Sequence, residues 1–250
     1  MRLEEAVLLR TTNKGKLREF ITTVSEEKFH SDFGIIDLGE LLQKEIGDTI
    51  TSHMGQVFVI QKPRMPDMFK YARRTGAPMM PKDIGSVIAY TGLNKQDSVL
   101  DAGTGSGILA MYLGSIAKRV VSYEVKDDFA TVARRNIERA GLDNVEVRCG
   151  NIVNEISALD EKFDVVTLDT IDAMDVIRNV KKVLHAGGFV VTYSPFFEQT
   201  KEIRDRMAEA GFVDVTTIEC IEREISFSDR GTRPSTARVG HTGFITIART

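Results

Sequence analysis

Apolar and polar positions follow two rhythms along the chain. Before about residue 66 the apolar and β-branched residues come in short runs, VLLRT at 7–11, REFITTV at 18–24 and FVIQK at 58–62, which predict strands. Between them DLGELLQKEIG at 37–47 predicts one short helix. The stretch 66–81, rich in Met, Arg, Gly and Pro, reads as a linker carrying a short helix. From Pro81 onward, helical periods alternate with solidly apolar runs. Helices are predicted over 82–92, from Ser106, over 126–140, 173–184 and 197–210. Strands are predicted at SVLDAG (98–103), RVVSYE (119–124), VEVRCG (145–150), FDVVTLD (163–169) and GFVVTYS (188–194), and two longer strands, 213–227 and 241–249, close the chain. Strands separated by helices imply a parallel sheet, and the closing pair implies an antiparallel edge. The chain therefore divides into a small β-rich domain, residues 1–66, and an α/β domain, residues 67–250, with no internal repeat.

Composition narrows this. Of 250 residues 42% are hydrophobic and 28% charged, as in ordinary globular proteins, and no apolar run approaches the roughly 18 residues that span a membrane. The opening MRLEEAVLLRTTNKGK carries acids and lacks a small-residue cleavage site, so no signal peptide and a cytoplasmic location are expected. Cys149 and Cys220 lie far apart without CxxC spacing and read as buried free thiols in preference to a disulfide or metal site. His30, His53, His185 and His241 have no ligand spacing with each other or with the cysteines, so no metal is expected. A net charge of −3 means that any nucleic-acid contact must come from locally concentrated basic residues.

The sharpest motif is Asp101-Ala102-Gly103-Thr104-Gly105-Ser106-Gly107, directly after an apolar strand. Its glycines permit a tight turn and close backbone approach to a ligand, and the next helix aims its first amides there. Dinucleotide sites use a related loop. Asp101 discriminates, because an acid opening the loop can accept from an ammonium group or a water near a methionyl group but would repel a pyrophosphate. Glu124 ends the second strand, where a carboxylate can hold both ribose hydroxyls; a solvated strand-end acid is the plainer reading. Asn151, after the third strand, has a donor and an acceptor for an adenine edge and could equally cap a helix or turn. Order and spacing suit one nucleoside cofactor, S-adenosylmethionine, on a Rossmann-like seven-stranded sheet.

With these elements in place, the chain resembles the tRNA adenine-N1 methyltransferases that act on the T loop, at adenosine 58 and in archaea also at 57. The resemblance rests on the glycine loop, Ser31-Asp32-Phe33-Gly34, Ser52-His53-Met54-Gly55, Pro81-Lys82-Asp83, and Arg233-Pro234 followed by Gly240-His241-Thr242-Gly243-Phe244. It spans nearly the whole chain and implies tRNA as partner, a homotetramer, and Asp169 at the end of the fourth strand as catalytic residue. A carboxylate there can accept from the exocyclic N6–H of adenine, turn N1 toward the methyl donor and stabilise the positive charge that methylation creates. The family follows this aspartate with a Leu-Pro-x-Pro-like segment; here Thr170-Ile171-Asp172-Ala173-Met174 stands in its place.

Basic residues that could meet RNA are Lys62, Arg64, Arg73 and Arg74, then Arg223, Arg230, Arg233 and Arg238; each group could also be a solvated face. Tyr193 and Phe196 could flank an extruded base or belong to the core rim, and His241 reads as a structural or RNA-positioning residue. Two other readings stay open: a methyltransferase of another substrate, such as a corrinoid precursor or protein isoaspartate, and a non-catalytic RNA-binding subunit.

Overall fold

A computed structural model describes residues 1–236 and 240–250, which form two compact units. The first comprises Met1–Arg73 with Arg135–Asp143, and the second Arg74–Arg134 with Asn144–Thr250.

In the first unit, strands β1 (Ala6–Asn13), β2 (Lys16–Thr23), β3 (Lys28–Ser31), β4 (Gly34–Asp37), β5 (Thr49–Thr51) and β6 (Val57–Gln61) precede helix α1 (Met65–Tyr71). Four of the strands make an antiparallel sheet in the order β2-β1-β6-β5. The β1–β2 hairpin closes on Lys14 and Gly15, both at positive φ, as a two-residue turn that matches strand twist requires. The expected helix at 37–47 is a 3-10 turn, Leu38–Gln43, begun by an Asp37 side chain that accepts from the Gly39 amide. The SDFG and SHMG segments meet here: Ser52 Oγ donates to the Phe33 carbonyl at 2.6 Å and the Ile35 amide donates to His53 Nδ1 at 2.7 Å. Phe20, Phe29, Phe33 and Phe58 pack edge-to-face over a core that includes Leu9, Ile36 and Ile60.

The second unit alternates as its sequence predicts. Helix α2 (Pro81–Thr91) leads to β7 (Ser98–Ala102), α3 (Ile108–Gly114), β8 (Arg119–Glu124), α4 (Asp127–Arg139), β9 (Val145–Cys149) and the single turn α5 (Ile152–Glu155). Then follow β10 (Phe163–Leu168), α6 (Ala173–Val183), β11 (Leu184–Ser194), α7 (Phe197–Glu209), β12 (Val215–Glu219), a hairpin of β13 (Ile225–Ser228) and β14 (Gly231–Pro234), and β15 (Phe244–Arg249). The seven-stranded sheet runs β12-β15-β11-β10-β7-β8-β9, which is the Rossmann-like α/β fold expected. Leu100, Val121, Val166 and Val190 sit at its centre, fully buried because helices cover both faces.

Three details differ from the sequence reading. The helix expected from Ser106 begins at Ile108, because Gly107 at φ +78 is its cap. The expected strand 213–227 breaks after Glu219, and among the described residues its second part pairs with β14 alone. The two cysteines, expected to be buried, are exposed at Cys149 and half-buried at Cys220; the closing strand pair does form the antiparallel edge expected, with β15 lying antiparallel between β11 and the edge strand β12. Alternation within a strand cannot report which neighbours it will pair with.

Candidate active site

The sheet order turns around β7: β8 and β9 continue on one side, β10 and β11 on the other. Crevices at such a reversal, outside the C-terminal strand ends, are where open α/β sheets take ligands. A cavity of about 340 Å³ lies there, lined by the loop after β7, the ends of β8, β9 and β10, and the segment Thr75–Met79.

The glycine loop forms its floor. Gly103, Thr104, Gly105 and Ser106 line the cavity, whereas Gly107 and Asp101 do not. Gly103 sits at φ +91, and a Cβ there would stand 2.0 Å from the Asp169 carbonyl oxygen, so this glycine lets the β7 and β10 ends touch. Gly107 likewise admits α4, at Ala133. Gly105 faces open space, with no atom nearer than 3.8 Å to its missing Cβ. The glycines thus divide between chain packing and the cavity. Ser106 Oγ accepts from the Thr75 amide at 2.9 Å and ties the segment 75–79 to the loop.

Asp101 lies behind the cavity wall, almost wholly buried. Its carboxylate accepts from Ser122 Oγ of β8 and from Thr167 Oγ1 of β10, and Ser122 is bonded in turn to Thr104 Oγ1. Burial pushes its pKa up against the pull of those hydroxyls. The structure places this acid as a strut across three strands, where expectation had it facing a ligand.

Glu124 lines the cavity with one oxygen accepting from the Gly105 amide at 2.8 Å and the other from the Lys126 amide at 3.0 Å. Each oxygen keeps acceptor capacity, so two adjacent hydroxyls can be held by one fixed carboxylate. Asn151 combines both of its expected roles: Oδ1 caps α5 by accepting from the Val153 amide at 2.9 Å, while the residue lines the cavity.

Asp169 stands across the cavity, its amide bonded to the Ala102 carbonyl. Burial, then the neighbouring Asp101 charge, raise its pKa to about 7, and no hydrogen bond lowers it. The segment after it forms a tight turn in which the Asp172 amide donates to Thr170 Oγ1 at 3.3 Å and Asp172 becomes the cap position of α6. A hydroxyl-stapled turn thus replaces proline rigidity. Asp172 and the exposed Ile171 join the lining. The charged lining residues are Glu124, Asp169 and Asp172 against Lys126.

The sequence reading did not place the 75–79 segment, Tyr123, Lys126, Phe129 or Ile171 here, although Tyr123 and Lys126 stand next to and just past Glu124 and Ile171 follows Asp169 by two positions; the 75–79 segment has no motif beside it. Tyr193 follows the β10–β11 register pair Leu168–Thr192 and so sits beside Asp169. Burial carries its phenol up to about 12. His241 is held between Glu219, 2.7 Å from Nδ1, and the Pro195 carbonyl, 2.6 Å from Nε2. Two acceptors favour the doubly protonated ring, and its pKa is raised accordingly. Arg73 and Arg74 are exposed and outside the cavity lining, as are Arg223, Arg230 and Arg233 near or on the β13–β14 hairpin. Arg238 lies outside the described residues. Among the described residues no group of three or more metal-ligating side chains is assembled.

Among known families, the model described as tRNA methyltransferase complex GCD14 subunit matches residues 58–232. A tRNA (adenine(57)-N(1)/adenine(58)-N(1))-methyltransferase of Methanocaldococcus jannaschii is 38% identical, covering 93% of this chain and 91% of that protein. A SAM-dependent O-methyltransferase from Thermotoga maritima superposes with a TM-score of 0.82 at 26% identity, over 100% of this chain and 94% of the other. The tRNA (m1A58) methyltransferase of Aquifex aeolicus shares the fold, with a TM-score of 0.74 at 22% identity over 100% and 98% of the two chains.

Proposed function

The chain belongs to the family of tRNA methyltransferase complex GCD14 subunits, and from that premise we propose that it methylates N1 of adenosine in the tRNA T loop, at position 58 or at both 57 and 58, with S-adenosylmethionine as donor. The observation that carries the site assignment is the acidic cavity at the sheet reversal, three carboxylates against one lysine, which suits a cationic sulfonium and would repel a pyrophosphate.

The donor supplies an electrophilic methyl group when bound. Glu124 holds the ribose hydroxyls, and Asn151 meets the adenine edge with the amide nitrogen its cap leaves over. Gly103 to Ser106 give the floor, Gly105 offering bare backbone. Asp101 keeps Thr104 and the ends of β8 and β10 in register from behind. Asp169, as carboxylate, accepts from the target N6–H, which orients N1 and balances the charge that grows on the base. Such positioning and electrostatics lower a barrier by about 3–5 kcal/mol. Tyr193 walls the acceptor base. Arg73, Arg74, Arg223, Arg230, Arg233 and His241 serve the RNA. The α/β domain does this chemistry, residues 1–66 form the appended β-rich domain, and the enzyme works as a cytoplasmic homotetramer. No helix among the described residues is long and apolar enough to cross a membrane.

Methyl transfer from labelled donor to unmodified tRNA transcripts, followed by nucleoside mass spectrometry, tests this. N1-methyladenosine from the T loop is the expected product. A ribose-methylated nucleoside, or unmodified tRNA beside intact donor binding, would overturn the target assignment and leave the cofactor site standing.

A further inference from the structure

Two sequence segments about 160 residues apart meet against Tyr193 in a buried polar cluster whose residues do not line the cavity. Lys82, with a side chain only 5% exposed, places its ammonium 2.7 Å from Asp83 Oδ1, 2.6 Å from the Cys220 carbonyl and 2.7 Å from Thr242 Oγ1. All three of its N–H donors are spent. Thr242 in turn donates to Asp83 Oδ2 at 2.9 Å, and Asp83 is fully buried. A buried ion pair of this kind contributes little net stability over an apolar replacement, so its retention asks for another reason.

Its position supplies one. Because β15 runs antiparallel to β11, its N-terminal end, with Thr242 and Gly243 just before it, lies at the C-terminal edge of the parallel strands, where the site is. Gly243 presses on the Tyr193 ring so closely that a Cβ would stand 2.4 Å from Cζ. The phenol oxygen is within hydrogen-bond reach of Thr242 and Asp83, and the charges of Asp83 and Asp169 both act on it. The ring is thereby fixed in position and its hydroxyl engaged.

We propose that Lys82, Asp83 and Thr242 are positioning residues for methyl transfer: they hold the segment 241–243 and, through it, clamp Tyr193 as the wall that sets the acceptor base against Asp169. This rests on the reading of Tyr193 as part of the acceptor site. Lys82 and Asp83 touch neither donor nor acceptor. They act through Thr242 and Tyr193, so their loss lowers turnover without moving donor affinity.

The test uses Thr242, whose replacement by valine keeps shape and deletes the hydroxyl, in the full-length enzyme. Thr242→Val is expected to lower kcat on tRNA by about tenfold or more, with the Kd for S-adenosylhomocysteine by calorimetry unchanged and Thr242→Ser restoring most of the rate. In a Tyr193→Phe background, which breaks the link, the Thr242→Val effect should shrink to about twofold or less. Wild-type turnover of Thr242→Val while Tyr193→Ala is impaired would overturn the clamp alone. An undiminished effect in the Tyr193→Phe background would do the same, as would a parallel loss of donor affinity. Wild-type turnover of Tyr193→Ala would remove the acceptor-site reading itself.

Discussion

Gly103→Ala isolates the contact between the glycine loop and the catalytic strand end. The added methyl carbon would stand 2.0 Å from the Asp169 carbonyl oxygen and 2.6 Å from its carbonyl carbon, both backbone atoms that no rotamer change can move. Ordinary carbon–oxygen contacts lie at about 3.3 Å, so the β10 end or the loop must retreat by roughly 1.3 Å. Gly103 also sits at φ +91, where an alanine is strained. Strain of about 1–3 kcal/mol and overpacking of about 1–3 kcal/mol together predict destabilisation of about 2–6 kcal/mol. For a chain of this size that lowers Tm by roughly 4–24 °C. The displaced residue is Asp169, and a 1 Å misplacement of a catalytic group costs about 100-fold. Below the shifted Tm, kcat on tRNA transcripts should therefore fall by about two orders of magnitude. Gly105→Ala is the control: at φ +54 it carries backbone strain of about 1–2 kcal/mol, but its Cβ meets nothing closer than 3.8 Å, so it should lower Tm less than Gly103→Ala, leave Asp169 in place and weaken S-adenosylhomocysteine binding instead. A Gly103→Ala enzyme with wild-type kcat would refute the reasoning, because Asp169 would then tolerate a displacement that the mechanism forbids.

The pKa of Asp169 near 7 makes activity depend on pH in a defined sense. The carboxylate is the working form, so kcat/KM should fall as pH drops through about 7, and Asp169→Asn should lose that limb together with most turnover; a pH-independent wild-type rate between 5.5 and 8.5 would contradict it. Glu124→Gln should weaken S-adenosylhomocysteine by roughly 10- to 150-fold, the value of a charge-assisted hydrogen bond, and unchanged calorimetric affinity would take the ribose away from Glu124. Replacing Arg223, Arg230 and Arg233 together by alanine should raise KM for tRNA and flatten its salt dependence by about 0.7–0.9 in log–log slope for each phosphate no longer neutralised, with donor affinity as before; an unaltered salt slope would place the RNA elsewhere.

What the sequence discloses of this site follows from how local each constraint is. Strands 98–102, 119–124 and 163–168 are apolar-rich and almost continuously buried because both sheet faces are covered, and the glycine loop follows the first of them at once. Glu124 and Asp169 are legible because each ends such a run. The same double burial hides the direction of Asp101: when every position of SVLDA after Ser98 is buried, alternation no longer says which face an acid takes. The β3–β4 hairpin escapes notice because its strands have four residues each and its order comes from Ser52 and His53 beyond the next turn. The place of β15, and with it the meeting of Lys82 and Thr242 across 160 positions, is a property of sheet order that no window of sequence contains.

The grouping of acids at the sheet reversal has a consequence for the order of events. Asp169 and Asp101 both have raised pKa values, with burial the leading cause and no basic group among the described residues pulling either back down. An isolated fold gains nothing from holding such charges together. A sulfonium cation brought among them is attracted by each carboxylate, and it draws Asp169 toward the ionised form that accepts from the target base. The neutral thioether left after transfer has no such attraction. On the proposed reading the same residues would favour the donor over its product, ionise Asp169 when the donor is in place, and loosen their hold once the methyl group has gone. Glu124, by contrast, spends one lone pair per oxygen on fixed amides and on the proposed reading would serve a ribose common to both molecules. Discrimination between donor and product thus belongs to the Asp169 side of the cavity and affinity common to both belongs to the Glu124 side, a division visible as a donor-to-product affinity ratio that Asp169→Asn lowers and Glu124→Gln leaves alone.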